Sequence, residues 1–273
     1  MRAPQPIQNE QSETFGWWER RLDPDRSLGL RLTMASVAAL LVLVPFSVLA
    51  LLVISAWWPL RSLDENLAES LHSVAVAHPG WASAMQTWTD VFGPGPLRVA
   101  VLAMAAWLWW RGARRVALWA ATTMVTGGVL GGTLKLIFGR DRPDLLDPVS
   151  HAPGYSFPSG HALTAALAAG VLLLALLPFL DQPASGRRRR AARWALWAGA
   201  IVLTVVTGLS RIALGVHWMS DVIGGWILGA AVVAATTAAF ATWRDRVGRR
   251  PTSPMSDGVV EEEGQREPEH PAA

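Results

Sequence analysis

The chain has no cysteine, a single tyrosine and few charges. The missing thiols exclude disulfides, thiolate zinc centres and cysteine nucleophiles. Charged residues fill only 16% of the 273 positions, where a soluble domain carries about a quarter. Hydrophobic residues make up 51%, and the mean hydropathy is +0.28. A chain this poor in charge, with long apolar runs, has a bilayer as its main solvent. The formal net charge is only +3, and the charges that remain are segregated rather than spread.

A membrane span needs about 20 predominantly apolar residues, and six stretches qualify. The first lies between Arg31 and Arg61, which bracket 29 uncharged residues. It follows a largely polar segment and has no small-residue cleavage site after it, so a retained helix is expected rather than a signal peptide. The second runs from near Gly93 to Trp110, with Arg98 near its start, and the third lies between Arg115 and Lys135. The fourth runs from His161 to Leu180, the fifth from Trp194 to Arg211, and the sixth from Val222 to Trp243. The expected fold is all-α: a polytopic membrane protein with six transmembrane helices over 31–243. A partly disordered segment at 1–30 precedes it, and a Pro-, Glu- and Ser-rich tail at 244–273 that reads as disordered follows. Between the first two spans, Leu63, Leu67, Leu71 and Val74 fall at helical spacing. That suits either an interfacial amphipathic helix near a lipid entrance or a plain connector.

Lys and Arg divide eighteen to six across the two sides. Five lie in the segment through Arg31, three in 111–115, five in 181–193 and five from Arg244 onward. The opposite loops hold Arg61, Arg98, Lys135, Arg140, Arg142 and Arg211. The positive-inside rule then puts both termini in the cytoplasm of a plasma (inner) membrane and the loops 61–97, 135–160 and 211–221 outside. Arg187 to Arg190 read as a cytoplasmic anchor in a short loop between spans, with no nucleic-acid partner. Fifteen tryptophans are present, and Trp57, Trp58, Trp109, Trp110 and Trp243 sit at span ends, where an aromatic belt is expected. The pairs Gly127/Gly131, Gly128/Gly132 and Gly225/Gly229 are spaced for close helix packing.

The outward side is poor in cations, yet Lys135, Arg142 and Arg211 lie at span ends there. Such residues cost about 2.5–3.5 kcal/mol each near the bilayer centre on insertion scales, so partners or work are expected of them. Snorkelling to the headgroups is the alternative for Lys135 taken alone. In "KLIFGRDRP", Lys135 and Arg142 are seven apart, two helical turns, and Pro143 biases Arg142 out of the helix into a loop. A guanidinium fork there suits a phosphate, held by two parallel hydrogen bonds. In "SRIALGVHWMSD", His217 and Asp221 are four apart and face each other on a helix. A carboxylate on Nδ1–H fixes the tautomer and leaves Nε2 free as a nucleophile. Arg211 is off that face, so a bend is needed, and Gly215 can supply it.

"FPSGHA" places Ser159 at or near the N-cap of the fourth span. Unpaired N–H groups and the positive helix end make that an anion site, and Gly160 lets a ligand approach the backbone. Ser159 and His161 are two apart and do not face each other on a helix, which argues against a serine nucleophile. His72, His78 and His151 fall in outward loops, match no part of this pattern and read as ordinary solvated histidines.

Together these stretches resemble the type-2 phosphatidic acid phosphatase superfamily. The matches are Lys135, Arg142 and Pro143; Pro158, Ser159, Gly160 and His161; then Ser210, Arg211, His217 and Asp221, with no departure at any motif position. The resemblance covers roughly residues 60–243. It implies a metal-independent, cofactor-free phosphatase that forms a phosphohistidine, with its active site at the extracytoplasmic ends of the third to sixth spans. Carried over, His217 attacks phosphorus, Asp221 orients it, and His161 protonates the leaving oxygen and then activates water. Lys135, Arg142, Arg211, Ser159 and the Gly160 amide hold the phosphoryl oxygens. The implied partners are membrane lipids and a lipid phosphate or pyrophosphate substrate. Prenyl pyrophosphates, phosphatidylglycerophosphate and phosphatidic acid are the substrate classes.

Other readings explain parts of the pattern. His161, His217 and Asp221 have the make-up of a facial metal triad, although three nearby cations would repel a divalent ion. A transporter leaves the clustering of polar residues on one side without a reason. A phosphotransferase passing the group to an alcohol instead of water would use the same motifs.

Overall fold

The computed structural model describes residues 27–146, 148–180 and 186–246. Among them the chain forms eight α-helices and no strand: α1 (Ser27–Ile54), α2 (Trp58–Ala77), α3 (Pro79–Val91), α4 (Pro94–Trp110), α5 (Arg114–Phe138), α6 (Gly160–Leu180), α7 (Arg187–Ala213) and α8 (Met219–Arg246). The segment 1–26 and the tail from 247 lie outside the described residues.

Proline and glycine set the boundaries. Helices α2, α3 and α4 each carry a proline in the first turn, where its missing N–H has no partner to lose. Helix α5 stops at Gly139, whose φ of 57° is the left-handed cap that glycine adopts without a Cβ penalty.

Five helical stretches are long and apolar enough to cross a membrane, six if a bent pair counts as one. Four are α5, α6, α7 and α8, and the fifth joins α3 and α4 across the break at Phe92–Gly93. The bent pair is α1 with α2, turned by 85° at residues 55–57. The first span was expected to reach Arg61; α1 ends at Ile54, and Arg61 lies on α2. The expected anchor loop at Arg187–Arg190 is the opening turn of α7. Helix formation extends through those arginines because nothing in the run breaks it, and Gly186 is the last residue outside. Trp58 and Trp110 expose 75% and 82% of their surface, as belt residues facing lipid do. The side chain of Trp243 is outside the described residues.

Helix α6 sits centrally, packed against α4, α5, α7 and α8, while α1 lies along α8. Lipid tails are as apolar as leucine, so such helices associate through close packing rather than hydrophobic burial. The glycines supply that closeness where they face a neighbour. A Cβ on Gly225 would stand 2.7 Å from the Ser159 carbonyl oxygen, and one on Gly229 2.6 Å from Ala166 Cβ, which fixes α8 on α6. Gly127 and Gly131 receive Leu167 and Leu163 in the same way. The pair Gly128/Gly132 departs from expectation: nothing lies within 4 Å of a Cβ on Gly132, and one on Gly128 meets only Arg98 Nη2 of α4 at 3.7 Å, so neither receives a closely packed neighbour. Two polar bonds tie α5 to α8, Thr123 to Thr236 at 2.8 Å and Arg115 Nη2 to the Phe240 carbonyl, each a contribution of about 0.6 kcal/mol in such a setting.

Two features aim the connecting segments at one end of the bundle. Phe157 is fully buried, stacked on Phe46 of α1 and edge-on to Phe138 of α5. It anchors the 139–159 segment just before Ser159. On α2, Leu67 and Leu71 pack against Ala162, Ile212 and Val222, while Leu63 and Val74 face outward. Helix α2 is therefore part of the bundle, seated over the ends of α7 and α8, and not a free connector.

Candidate active site

Every motif residue named from the sequence is delivered to this end of the bundle. Lys135 closes α5, Arg142 lies in the segment after it, and Ser159, Gly160 and His161 open α6. Arg211 closes α7, and the chain reverses at Gly215, φ 69°. That reversal brings His217 just ahead of α8 and Asp221 into its first turn.

His217 and Asp221 meet as the spacing predicts, but across a helix start rather than along a helix face. Asp221 Oδ2 lies 3.2 Å from His217 Nδ1 and accepts the Trp218 backbone N–H at 2.9 Å. On the far edge of the ring, Nη1 of Arg142 stands 3.1 Å from Nε2. A guanidinium can only donate, so Nε2 carries the lone pair and Nδ1 the proton. Both side chains are buried. Burial pushes the His217 imidazole down to about 4, with the hydrogen bond and charge of Asp221 opposing and Arg142 and Lys135 adding to the fall.

The cations surround that ring edge. Lys135 Nζ donates to the carbonyls of Tyr155 (2.6 Å) and Ser156 (3.3 Å). Arg142 donates to Gly154, Pro153, Tyr155 and Val216 carbonyls, and burial lowers its pKa from the usual guanidinium value. Ser156 zips the loop, donating from N and Oγ to the Arg140 carbonyl and from Oγ to that of Asp141; this holds Arg142 in register with residues 153–155. Arg211 reaches Thr89 Oγ1 with Nη1 at 3.1 Å, while its buried Nε has no hydrogen-bond partner. That unpartnered donor has the Arg142 guanidinium as an electrostatic neighbour, an arrangement that suits an anion.

Ser159 is the cap that the sequence suggests: its Oγ accepts the Ala162 N–H at 3.4 Å, and its own N–H donates to the Asp221 carbonyl at 2.9 Å. Lys135 lies across the opening turn, its Cε 3.9 Å from where a Gly160 Cβ would be. His161 has Arg211, His217, Arg142 and Lys135 as its electrostatic neighbours. Its Nε2 would be 3.5 Å from a Cβ on Gly93, at the α3–α4 break. Among the described residues no three His or carboxylate side chains converge as metal ligands. Both Asp221 oxygens are already committed, Oδ1 to Arg140 and Oδ2 to His217 and Trp218.

Three residues matter here that the sequence reading passed over. Arg140, counted only as a loop cation, bridges Asp221 and Asp64 at 2.6 and 2.8 Å. Asp64 of α2 is 1% exposed. Its signal was present: it shares a helical face with Leu67 and Leu71, so a carboxylate sits on a buried stripe. Thr89 of α3 holds Arg211. His72 corrects the solvated reading: it is buried, with Nε2 2.7 Å from the Leu146 carbonyl, because α2 folds back over the loop. His78 and His151 are exposed.

Comparison with known proteins gives the family of the chain. Residues 116–245 match the model of the PAP2 superfamily. The chain is 37% identical over 107 residues to phosphatidylglycerophosphatase B of Bacillus subtilis (strain 168), covering 38% of this chain and 48% of that one. It thus spans about half the length of that relative. It is 31% identical over 174 residues to YbjG of Escherichia coli (strain K12), provisionally named an undecaprenyl-diphosphatase, covering 60% of this chain and 78% of that one. The crystal structure of a transmembrane PAP2-type phosphatidylglycerolphosphate phosphatase from Bacillus subtilis superposes with a TM-score of 0.59 at 25% identity, over 78% of this chain and 98% of the other.

Proposed function

Since the chain belongs to the PAP2 superfamily, we propose that it is an integral-membrane phosphatase acting on a lipid phosphate or pyrophosphate through a phosphohistidine. The observation that carries this reading is the His217 ring, its Nδ1 edge on Asp221 and its Nε2 edge turned to the guanidinium of Arg142.

In the first step the Nε2 lone pair attacks phosphorus and the bond to the leaving oxygen breaks. The proton goes from His161 to that oxygen, and Asp221 balances the charge that grows on the ring. In the second step water attacks phosphorus, His161 takes its proton, and the P–N bond breaks to restore Nε2. Phosphoryl transfer needs positioning and charge stabilisation more than covalent chemistry from the protein. Lys135, Arg142 and Arg211, with Ser159 and the Gly160 amide, supply that to the equatorial oxygens. The phosphate displaces the Tyr155 and Gly154 carbonyls as the cations' partners, and it meets the unpaired Nε of Arg211.

The cation asymmetry supports six spans with both termini cytoplasmic and the site facing outward, in a membrane domain over 31–243. The names of the relatives favour undecaprenyl pyrophosphate and phosphatidylglycerophosphate as substrates, and the resemblance noted in the sequence adds phosphatidic acid. The test is phosphate release by purified full-length protein from those three lipids and a sphingoid phosphate, beside His217→Ala. The expected result is release from at least one lipid and a base-stable, acid-labile phosphoenzyme, both lost in the variant. A variant that matches the parent rate sinks the reading.

A further inference from the structure

The phosphatase reading leaves one buried charge without a task. Asp64 comes from α2, the helix that turns 85° away from α1, and no motif includes it. A carboxylate is expensive to bury and is tolerated when every lone pair finds a donor. Asp64 has three: the Ser220 N–H at 2.9 Å on Oδ1, with Ser220 Oγ at 2.5 Å and Arg140 Nη2 at 2.8 Å on Oδ2. Each of these groups also touches the first turn of α8 or Asp221 itself.

Ser220 is the second residue of α8, so its N–H is one of the amides that an α-helix cannot pair internally. A carboxylate there also faces the positive end of the helix dipole. Asp64 thus caps α8 from another helix and fixes the turn carrying Asp221. Arg140 extends the same connection, with Nη1 on Asp221 Oδ1 at 2.6 Å and on Ser220 Oγ at 2.7 Å, and its guanidinium 5.6 Å over the Trp218 ring. One guanidinium is shared by two carboxylates, and the second carboxylate holds the histidine.

Resting on the phosphatase reading, we infer that Asp64 is a positioning residue for the His217–Asp221 pair, acting through Arg140 and the first turn of α8. Its charge has a second effect. While Asp64 takes half of the Arg140 fork, Asp221 keeps its negative charge available to the imidazole. Without Asp64 the whole Arg140 charge falls on Asp221, which becomes a poorer acceptor for Nδ1–H. Charge appears on the ring only as phosphorus is attacked, so the loss belongs in kcat rather than KM. The other groups facing His217 are Arg142 from the loop, Lys135 from α5, His161 from α6 and Asp221 from α8. Asp64→Asn alters none of them directly.

The experiment measures kcat, KM and the pH profile of full-length Asp64→Asn and Asp64→Glu in detergent micelles. The substrate is undecaprenyl pyrophosphate or phosphatidic acid, whichever the parent turns over faster, and thermal unfolding is followed in parallel. Asp64→Asn is expected to lower kcat by about 10–100-fold, the size of loss seen when a group that orients a metal-bound histidine is removed, with KM near that of the parent. Removing a negative charge lowers the proton affinity of His217, so the acid limb of kcat/KM moves to lower pH. Asp64→Glu restores the charge and recovers part of kcat. Parent kcat in Asp64→Asn overturns the inference, as does a loss of rate that tracks lost folded protein while the acid limb stays in place. If Asp64→Asn does not fold, Ser220→Ala carries the test: it keeps every charge, removes the hydroxyl shared by Asp64 and Arg140, and is expected to lower kcat. Parent kcat there overturns the inference too. An active His217→Ala, or a parent inactive on all four lipids of the panel above, refutes the phosphatase reading instead and is read separately.

Discussion

Arg142 Nη1 stands 3.1 Å from Nε2 of His217, on the ring edge from which a phosphorus atom would be attacked. The arginine also donates to four carbonyls. Under the proposed mechanism it would have to release the Nε2 lone pair to hold an equatorial phosphoryl oxygen.

Arg142→Lys is expected to lose most of kcat/KM, by about 10²-fold or more, because an ammonium is a point charge and cannot span loop carbonyls and phosphate in a planar fork. Steady-state kinetics on a hydrolysed lipid phosphate checks this, and near-parent kcat/KM would contradict it.

Acid sensitivity follows from burial of His217. Its pKa is pushed from 6.5 down to about 4, burial being the largest cause, and the attacking form is neutral. The acid limb of kcat/KM due to this group is expected well below 6.5. The linked stability has the same sign: with the folded value lower than the unfolded one, it is full above 6.5 and is lost as pH falls toward 4. Arg142 is one of the cations that lower the value, so Arg142→Gln should move the limb upward. A pH–rate profile of both proteins reads the shift, and an unmoved limb counts against the placement of Arg142.

Two glycine substitutions separate packing from helix propensity. Gly225→Ala puts a Cβ 2.7 Å from the Ser159 carbonyl and 3.0 Å from Ala162. Overpacking of that kind costs about 1–3 kcal/mol, and it displaces the α6 cap with it, so both melting temperature and activity should fall. Gly132→Ala meets nothing within 4 Å and should be neutral or stabilising by about 0.5–1 kcal/mol. Thermal unfolding in detergent compares the two.

Chelation should leave the rate unchanged. Both Asp221 oxygens are engaged by Arg140, His217 and Trp218, and the neighbouring Lys135, Arg142 and Arg211 repel a divalent ion. Phosphate release measured with excess EDTA checks this; loss of activity restored by an added metal would reverse it.

Much of the site was legible because its chemistry is local. Lys135 and Arg142 flank a helix end, Ser159 caps the next helix, and His217 and Asp221 sit four apart, all readable as spacings. Arg140 was misjudged because a loop arginine has no period to betray its direction. Asp64 was missed because the leucine stripe on α2 fitted an interfacial helix as well as a buried one. His72 failed for the same reason. Whether such a stripe faces lipid or protein depends on the 85° turn at residues 55–57, and nothing in the stripe encodes that.

The sequence by itself determined an all-helical membrane chain, the order of its motifs and the candidate reacting groups, since composition, hydrophobic length and short spacings are properties of neighbours along the chain. Only the tertiary structure decided that α2 folds back over α7 and α8 and brings Asp64 to Arg140 and Ser220. Those contacts join residues 76 and 156 positions apart, and their partners are chosen by how helices pack, which no local pattern fixes.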